Sequence, residues 1–233
     1  CIRSELDLTA QRRIAVLEPV KLIVDNYPAD KTEYFDVANN PNREANDPTT
    51  RKVAFTKELW IENEDFAEVP PPKFKRLTVG GEVRLMGGYL VKCESVEKNP
   101  DGSIAVIHCT ADLETGNGNP VDGRKVKGTI HWVSAKYAID ATVRLYDYLF
   151  TDPAPDAADK NFLDYLNPDS LQVLTGCKVE QGLAQAAMPE KWKTATAYQF
   201  MRQGYFCLDN QDAAPGHLVF NRSVSLKDSF KKK

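Results

Sequence analysis

Short apolar runs follow one another along most of the chain, and Gly, Pro, Asn or Asp bounds nearly every one. Val, Ile, Tyr and Phe are frequent in them, which is the composition of β-strands. The runs are Ile14–Leu17, Val20–Asn26, Val53–Ile61, Arg76–Thr78, Glu82–Val96, Ile104–Ala111, Gly128–Ser134, Thr142–Phe150, Leu171–Glu180, Tyr198–Leu208 and the run that begins at Leu218. Short strands at this spacing are typical of antiparallel barrels or sandwiches. The pattern therefore predicts an all-β protein.

Two segments depart from the strand pattern. Near the N-terminus, Ser4 is followed three residues later by Asp7, which predicts a short helix that ends near Arg12 or Arg13. Residues 151–167, which contain two prolines, predict a linker and a short helix. We therefore expect a helical connecting segment over 1–13, a first β-barrel over 14–134 and a second over 135–233.

Composition limits the classes of function. The 233 residues are 42% apolar and 27% charged, which is ordinary for a globular protein. No apolar run approaches the roughly 20 residues of a membrane helix. The chain starts at a cysteine instead of a methionine, so we expect a piece of a longer protein. Its five scattered cysteines include no CxxC pair, which favours reduced thiols in the cytoplasm over disulfides or a zinc site.

The net charge of −3 means that any contact with nucleic acid must come from local basic patches. The strongest patch follows three prolines and consists of Lys73, Phe74, Lys75 and Arg76. Cations beside an aromatic ring suit phosphates and unstacked bases. A solvated edge strand, on which lysines oppose aggregation, is the competing interpretation.

A second basic segment, residues 123–128, carries Arg124, Lys125 and Lys127 between two glycines. Glycine lets a backbone approach a phosphate closely, although a solvated turn accounts for the segment equally well. The carboxylates show no metal-ligand spacing, and no set of nucleophile, histidine and acid is evident. We therefore expect neither a catalytic site nor a metal site in this chain.

The segment 198–209, YQFMRQGYFCLD, combines two side-chain amides, a guanidinium and four aromatic rings. Rings that stack and polar forks that bind base edges suit the recognition of an unstacked RNA base. Two core strands with a polar outer face would show the same alternation.

Several segments read in order resemble the C-terminal anticodon-binding region of glutaminyl-tRNA synthetases, a family of class I aminoacyl-tRNA synthetases. They are CIRSELD, AVLEPVKLIVDNYP, the PNR at Pro41, FTKELWIENEDF, KFKRLTVGGEVRL, GRKVKGTIHWVS, VRLYDYLF and QGYFCLD with VFNRSVSLKD. Neither an HIGH-like nor a KMSKS-like signature is present, so the catalytic domain of that family is missing.

The resemblance implies two consecutive antiparallel β-barrels, similar to the ribosomal 5S-RNA-binding fold, between which strands can be exchanged. The anticodon loop would cross both barrels. By position, Arg84 matches the reader of the first anticodon base. Arg12, Pro41 and Gln199 match the pocket of a central uracil, and Lys75 with Arg76 match the readers of a third-position guanine.

The sequence departs from that family at two places. Met86 stands where a second arginine is expected after Arg84, and Met201 stands where a glutamate is expected after Gln199. We add the neighbouring Arg202 to the anticodon-contacting residues, and Lys73, Arg124, Lys125 and Lys127 as contacts to the RNA backbone.

The resemblance further implies a parent glutamine–tRNA ligase that uses ATP and Mg²⁺ in an N-terminal catalytic domain, with no cofactor in the present part. The partners would be glutamine-specific tRNA and that catalytic domain, without DNA or membrane, in a monomeric cytoplasmic protein. Two alternatives remain: the same region of a glutamyl-tRNA synthetase, or a β-barrel module that binds protein or carbohydrate.

Overall fold

A computed structural model describes residues 2–157, 159–186 and 196–226. Within them one helix, α1 (Ile2–Thr9), precedes sixteen strands, so the predicted all-β class is confirmed. The strands are β1 (Gln11–Arg13), β2 (Ala15–Val16), β3 (Pro19–Val24), β4 (Glu33–Ala38), β5 (Thr50–Phe55), β6 (Glu58–Glu62), β7 (Glu82–Leu85), β8 (Leu90–Lys98), β9 (Ile104–Ala111), β10 (Thr129–Ile130), β11 (Trp132–Ser134), β12 (Ile139–Tyr146), β13 (Leu171–Val179), β14 (Ala197–Phe200), β15 (Gly204–Leu208) and β16 (Leu218–Val224).

The first sheet has the strand order β10-β7-β8-β9-β3-β6-β11. Its two edge strands, β10 and β11, are separated in sequence by His131 alone. The sheet must therefore curl until its edges come together, which makes it a nearly closed barrel. In its core Phe55 packs edge-on against Trp132 and Tyr27, with ring centroids 5.2 and 4.9 Å apart.

The second sheet has the order β1-β14-β15-β16-β12-β13-β2. Its edge strands are separated by Ile14 alone, so this sheet also curls nearly closed. Phe200 and Phe206 stack in its core with centroids 4.3 Å apart. The predicted pair of consecutive β-barrels is confirmed.

Chain is exchanged between the two barrels at the N-terminus. β1 pairs with β14 and β2 pairs with β13, so residues 11–16 lie in the second sheet although the chain then enters the first. The predicted domain boundaries at residues 14 and 134 stay a prediction. Because residues 11–16 belong to the second sheet, the two barrels are not formed by two separate stretches of sequence.

Both sheets also contain parallel neighbours, which an antiparallel barrel alone would lack. The hairpin-linked strands β8 and β9 are antiparallel and are joined by a tight turn at residues 99–102. The parallel pairs are β1/β14, β3/β9, β7/β10 and β12/β16. Each joins strands far apart in sequence, as parallel pairing requires a long connection.

Two local predictions were wrong, and one strand was missed. α1 ends at Thr9, not near Arg12, because the Arg12 N–H donates to the Asn39 carbonyl at 2.6 Å and residues 11–13 extend along β14. Residues 76–78 form no strand and only an isolated bridge at Leu77. β4 was not predicted, because only Phe35 in it is buried.

Candidate nucleic-acid interface

Four aromatic rings of the segment 198–209 belong to the core and not to a stacking surface. Tyr198, Phe200, Tyr205 and Phe206 are all less than a tenth exposed. Gln199 lies between two of them on the opposite face of β14 and is half-buried. The aromatic part of the predicted base-reading surface is therefore wrong. Alternation along β14 turns Tyr198 and Phe200 inward, and an irregular register between the adjacent Tyr205 and Phe206 accompanies the burial of both rings on β15.

Arg12 lies beside Gln199, since β1 and β14 pair in parallel with these two residues in register. The Arg12 guanidinium is almost fully buried. It donates to the carbonyl oxygens of Ala10 and Asp7 at 2.9 and 3.0 Å, and to the Asp7 carboxylate at 2.6 Å. Its first role is thus to satisfy the carbonyl groups at the C-terminal end of α1.

A cavity of about 250 Å³ is lined by residues of the β4–β5 hairpin, by β1 and by the turns that follow β7 and β14. Arg12 and Pro41, both predicted for the central base, line it together. Met86 and Met201, the two departures from the family pattern, line the same cavity. The remaining lining residues are Asp36, Val37, Ala38, Arg51 and Gly87. The structure thus brings residues of the expected first and central pockets into one mostly aliphatic and thioether surface.

Hydrogen bonds fix the backbone of both methionines. The Met86 N–H donates to Ile130 and its carbonyl accepts from the Trp132 indole, at 2.9 and 3.2 Å. The Met201 N–H donates to the Arg13 carbonyl at 3.0 Å. The cavity therefore combines a fixed backbone with flexible, polarisable side chains.

Arg84 points toward the loop that follows β9. Its guanidinium donates to the Gly88 carbonyl at 3.0 Å and also to the Gly118 carbonyl. Arg84 thereby holds this loop against β7, and it does not line the cavity with Met86.

Asp65 is the centre of an ion cluster that the sequence did not indicate. Its side chain is fully buried at the end of the 3₁₀ turn Asn63–Asp65. Arg202 donates two parallel hydrogen bonds to its carboxylate, at 2.6 and 2.7 Å. The Nε of Arg76 lies 2.9 Å from Oδ1 of the same carboxylate. Two predicted anticodon-contacting arginines, which both lie outside the strands, thus share one buried acid.

A polar network continues from this cluster along the junction of the sheets. His131 Nδ1 lies 3.4 Å from Arg202 Nη1, and His131 Nε2 lies 3.5 Å from the buried Glu62 carboxylate. Gln203 donates to Glu62 at 3.0 Å. Burial lowers the pKa of Arg202, but Asp65 outweighs burial and the pKa lies above its ordinary value.

Glu180 is the centre of a second ion cluster. It lies beside Ile14, which separates the two edge strands of the second sheet. Arg51 donates to both Glu180 oxygens at 2.5 and 2.8 Å, and the Ile14 N–H donates to one of them at 2.9 Å. Glu180 and Glu62 are buried carboxylates at strand ends, each within reach of cations or N–H groups distant in sequence. Acidic residues directly after an apolar strand were the signal that could have found them.

The second basic segment is neutralised by acids. Arg124 donates from Nε and Nη2 to Glu82 at 3.0 and 2.7 Å, from Nη2 to Asp112 at 2.7 Å and from Nη1 to Asp122 at 2.9 Å. These bonds, that with Glu82 first, hold the pKa of Arg124 above its ordinary value. Lys125 and Lys127 are exposed, as are Lys73 and Lys75 of the first segment.

The two basic segments touch each other at Gly128. Its φ is +110°, and a Cβ built there would lie 2.1 Å from the Lys75 carbonyl oxygen. Only glycine permits this close approach. Lys75 and Arg76 are thereby held beside Lys125 and Lys127 on one surface.

No group of three His, Cys, Asp or Glu side chains in the described part of the chain could hold a metal ion. Among the same residues no helix is long and apolar enough to cross a membrane. Cys93, Cys109, Cys177 and Cys207 are free thiols.

Known proteins match this chain over most of its length. Two family models, both described as anti-codon binding domains of class I (E and Q) tRNA synthetases, match residues 10–112 and 129–209. Proteins named glutamine–tRNA ligase from Vibrio vulnificus and Vibrio cholerae are 50% and 51% identical to the whole chain. One from Colwellia psychrerythraea is 49% identical.

The chain spans about 40% of the length of these relatives. The exchanged residues 11–16, the residues that line the cavity and Arg76 all lie within the matched ranges. The predicted family is confirmed: this chain belongs to the anticodon-binding domains of the class I tRNA synthetases of the glutamate and glutamine group.

Proposed function

We propose that the chain binds the anticodon loop of glutamine tRNA within a glutamine–tRNA ligase. The identity of about 50% over the whole chain to proteins of that name supports glutamine over glutamate. The parent protein would use ATP and Mg²⁺ in a catalytic domain outside this chain, and act as a monomer in the cytoplasm. No cofactor is needed for the part described here.

The observation that carries this proposal is the surface around Arg76. The Arg76 side chain is 30% exposed and lies beside the exposed Lys73 and Lys75, and its terminal nitrogens have one hydrogen bond among the described residues, from Nη1 to the Lys75 carbonyl. A guanidinium fork suits the O6 and N7 acceptors of guanine, and the lysines suit phosphates. Phosphate contacts would position the loop, and Arg76 would read its third base.

The cavity supports recognition of a second base. The cavity has a volume of about 250 Å³, and Arg12 and Pro41 form part of its wall. We assign this cavity to the central uracil, with Gln199 beside it on β14, and Arg84 to the first base. Aliphatic and thioether walls exclude water and favour a planar ring.

The test is binding of the chain to anticodon stem-loops, measured by fluorescence anisotropy. We expect a loop with central uracil and third guanine to bind more tightly than loops in which either base is replaced. Affinity should also fall steeply with salt. Equal affinity for all loops would exclude base-specific recognition, and a salt-independent affinity would favour the carbohydrate-binding alternative.

An assay of the full-length parent protein distinguishes specificity for glutamine from specificity for glutamate. When each amino acid is supplied separately, we expect the protein to attach glutamine to tRNA. Charging with glutamate instead would assign the chain to the glutamyl alternative that the shared family description includes.

A further inference from the structure

The nitrogens of Arg76 and Arg202 are used in opposite ways at Asp65. Arg202 donates both terminal nitrogens to the carboxylate, so its fork is fully occupied. Arg76 approaches the carboxylate most closely through Nε, at 2.9 Å, and donates no hydrogen bond to it from its terminal nitrogens. Its terminal nitrogens have one protein contact among the described residues, from Nη1 to the Lys75 carbonyl at 3.3 Å. Only Arg76 therefore presents a fork to a ligand.

The position of Asp65 is fixed on three sides. Its carboxylate is buried and its carbonyl oxygen accepts from the Leu77 N–H at 3.0 Å, which ties it to the chain just after Arg76. Arg202 reaches it from the turn between β14 and β15, with φ at +69°. Non-glycine residues adopt this conformation at a cost, so the surrounding structure must hold it.

We propose that Asp65 and Arg202 are positioning residues that aim the Arg76 fork at a base edge with two adjacent acceptors. The proposal rests on the proposed function and names guanine, through O6 and N7, as the ligand. With its Nε held 2.9 Å from the Asp65 carboxylate, Arg76 donates no hydrogen bond from either terminal nitrogen to that carboxylate. Since Arg202 lies in the turn between β14 and β15, the second sheet takes part in reading the third base through this turn.

The geometry explains why both partners are needed. A buried carboxylate left with Arg76 alone would have free acceptor positions and would attract the terminal nitrogens of Arg76. The two terminal nitrogens of Arg76 would then turn toward Asp65 and could no longer donate to O6 and N7 of guanine. With Arg202 in place, those positions are filled and Nε is the only contact left to Arg76.

The experiment compares the affinity of each variant for loops with guanine or 7-deazaguanine at the third anticodon position. 7-Deazaguanine lacks the N7 acceptor, so the affinity ratio measures bidentate reading. We expect a ratio of about tenfold for the wild-type chain, and a ratio near one for Arg76→Ala. Asp65→Asn and Arg202→Gln should lower the ratio as Arg76→Ala does.

Glu180→Gln is the matched control. It weakens another buried carboxylate held by an arginine at the sheet junction, but one without contact to Arg76. Its ratio should stay at the wild-type value although its melting temperature falls. If Asp65→Asn does not fold, Arg202→Lys replaces it in the experiment, because lysine keeps the positive charge without the two parallel donors. We expect Arg202→Lys also to lower the affinity ratio.

Three results would overturn the inference. In one, Asp65→Asn and Arg202→Gln keep the wild-type ratio while Arg76→Ala loses it. In the second, Glu180→Gln lowers the ratio as much as they do. In the third, replacing the phosphates beside the third base by methylphosphonates removes the effect of Arg76→Ala, which would assign Arg76 to phosphate. If no loop binds to the wild-type chain, the proposed function itself fails.

Discussion

Two arginines in similar basic segments have opposite surroundings. Arg76 meets one buried carboxylate through one nitrogen, whereas Arg124 meets three partly exposed carboxylates through all three nitrogens. A count of positive charges along the sequence rates the two segments as similar. The comparison shows that the number of donors left free determines whether a cation can bind RNA.

The largest effect should come from separating the two segments. Gly128→Ala places a Cβ 2.1 Å from the Lys75 carbonyl oxygen in addition to the unfavourable φ. We expect a loss of about 2–4 kcal/mol in the free energy of unfolding. Urea titration measures this, together with stem-loop affinity, which should also fall because Lys75 and Arg76 shift.

Gly123→Ala is the control for that variant. Its φ of +71° is similarly unfavourable, but no atom lies within 4 Å of its added Cβ. It should therefore lose less stability and keep its RNA affinity. Equal losses in both variants would mean that the contact between the segments is unimportant.

Removing each arginine tests the comparison directly. Arg76→Ala should cost about 1–3 kcal/mol in the binding of a loop with third-position guanine, and little for other bases. Arg124→Ala should leave base preference unchanged, because its donors are already occupied. Binding titrations against all four third bases decide this, and a loss of preference in Arg124→Ala would contradict it.

The smallest effect concerns pH and the burial of the carboxylates. Burial raises the pKa of Glu62, but the His131 ring and the N–H groups of Leu17 and Glu18 outweigh it and hold the pKa below the ordinary 4.5. The stabilisation from ionised Glu62 is therefore complete above that value and is lost as pH falls through the lower folded-state pKa.

We expect the wild-type chain to lose more stability than Glu62→Gln between about pH 6 and about pH 3. Asp122→Asn is the exposed counterpart. The pKa of Asp122 is also lowered, first by the Arg124 N–H, but solvent screens this interaction. Urea unfolding across this range should show a smaller difference for Asp122→Asn. A larger difference for Asp122→Asn than for Glu62→Gln would contradict the expectation that the buried carboxylate contributes more to the pH dependence of stability.

Much of the fold was predictable because it depends on local patterns. The alternation in residues 198–209 correctly predicted strands, and the turn at residues 99–102 has the Pro, Asp and Gly that favour a tight hairpin turn. The pairing of Arg202 with Asp65, which are 137 residues apart, was not predictable. Neither was the joint cavity of Met86 and Met201, since it depends on how two sheets meet.

The sequence by itself determined the all-β class, the family and the identity of the candidate RNA-binding residues. Those properties follow from residue types and from order along the chain. The tertiary structure alone decided which aromatic rings are buried, which barrel residues 11–16 join and which arginine keeps a free fork. The reason is physical. A hydrogen bond forms only between groups that are close in space, and only the packing of the folded chain brings Asp65, Arg76 and Arg202 together.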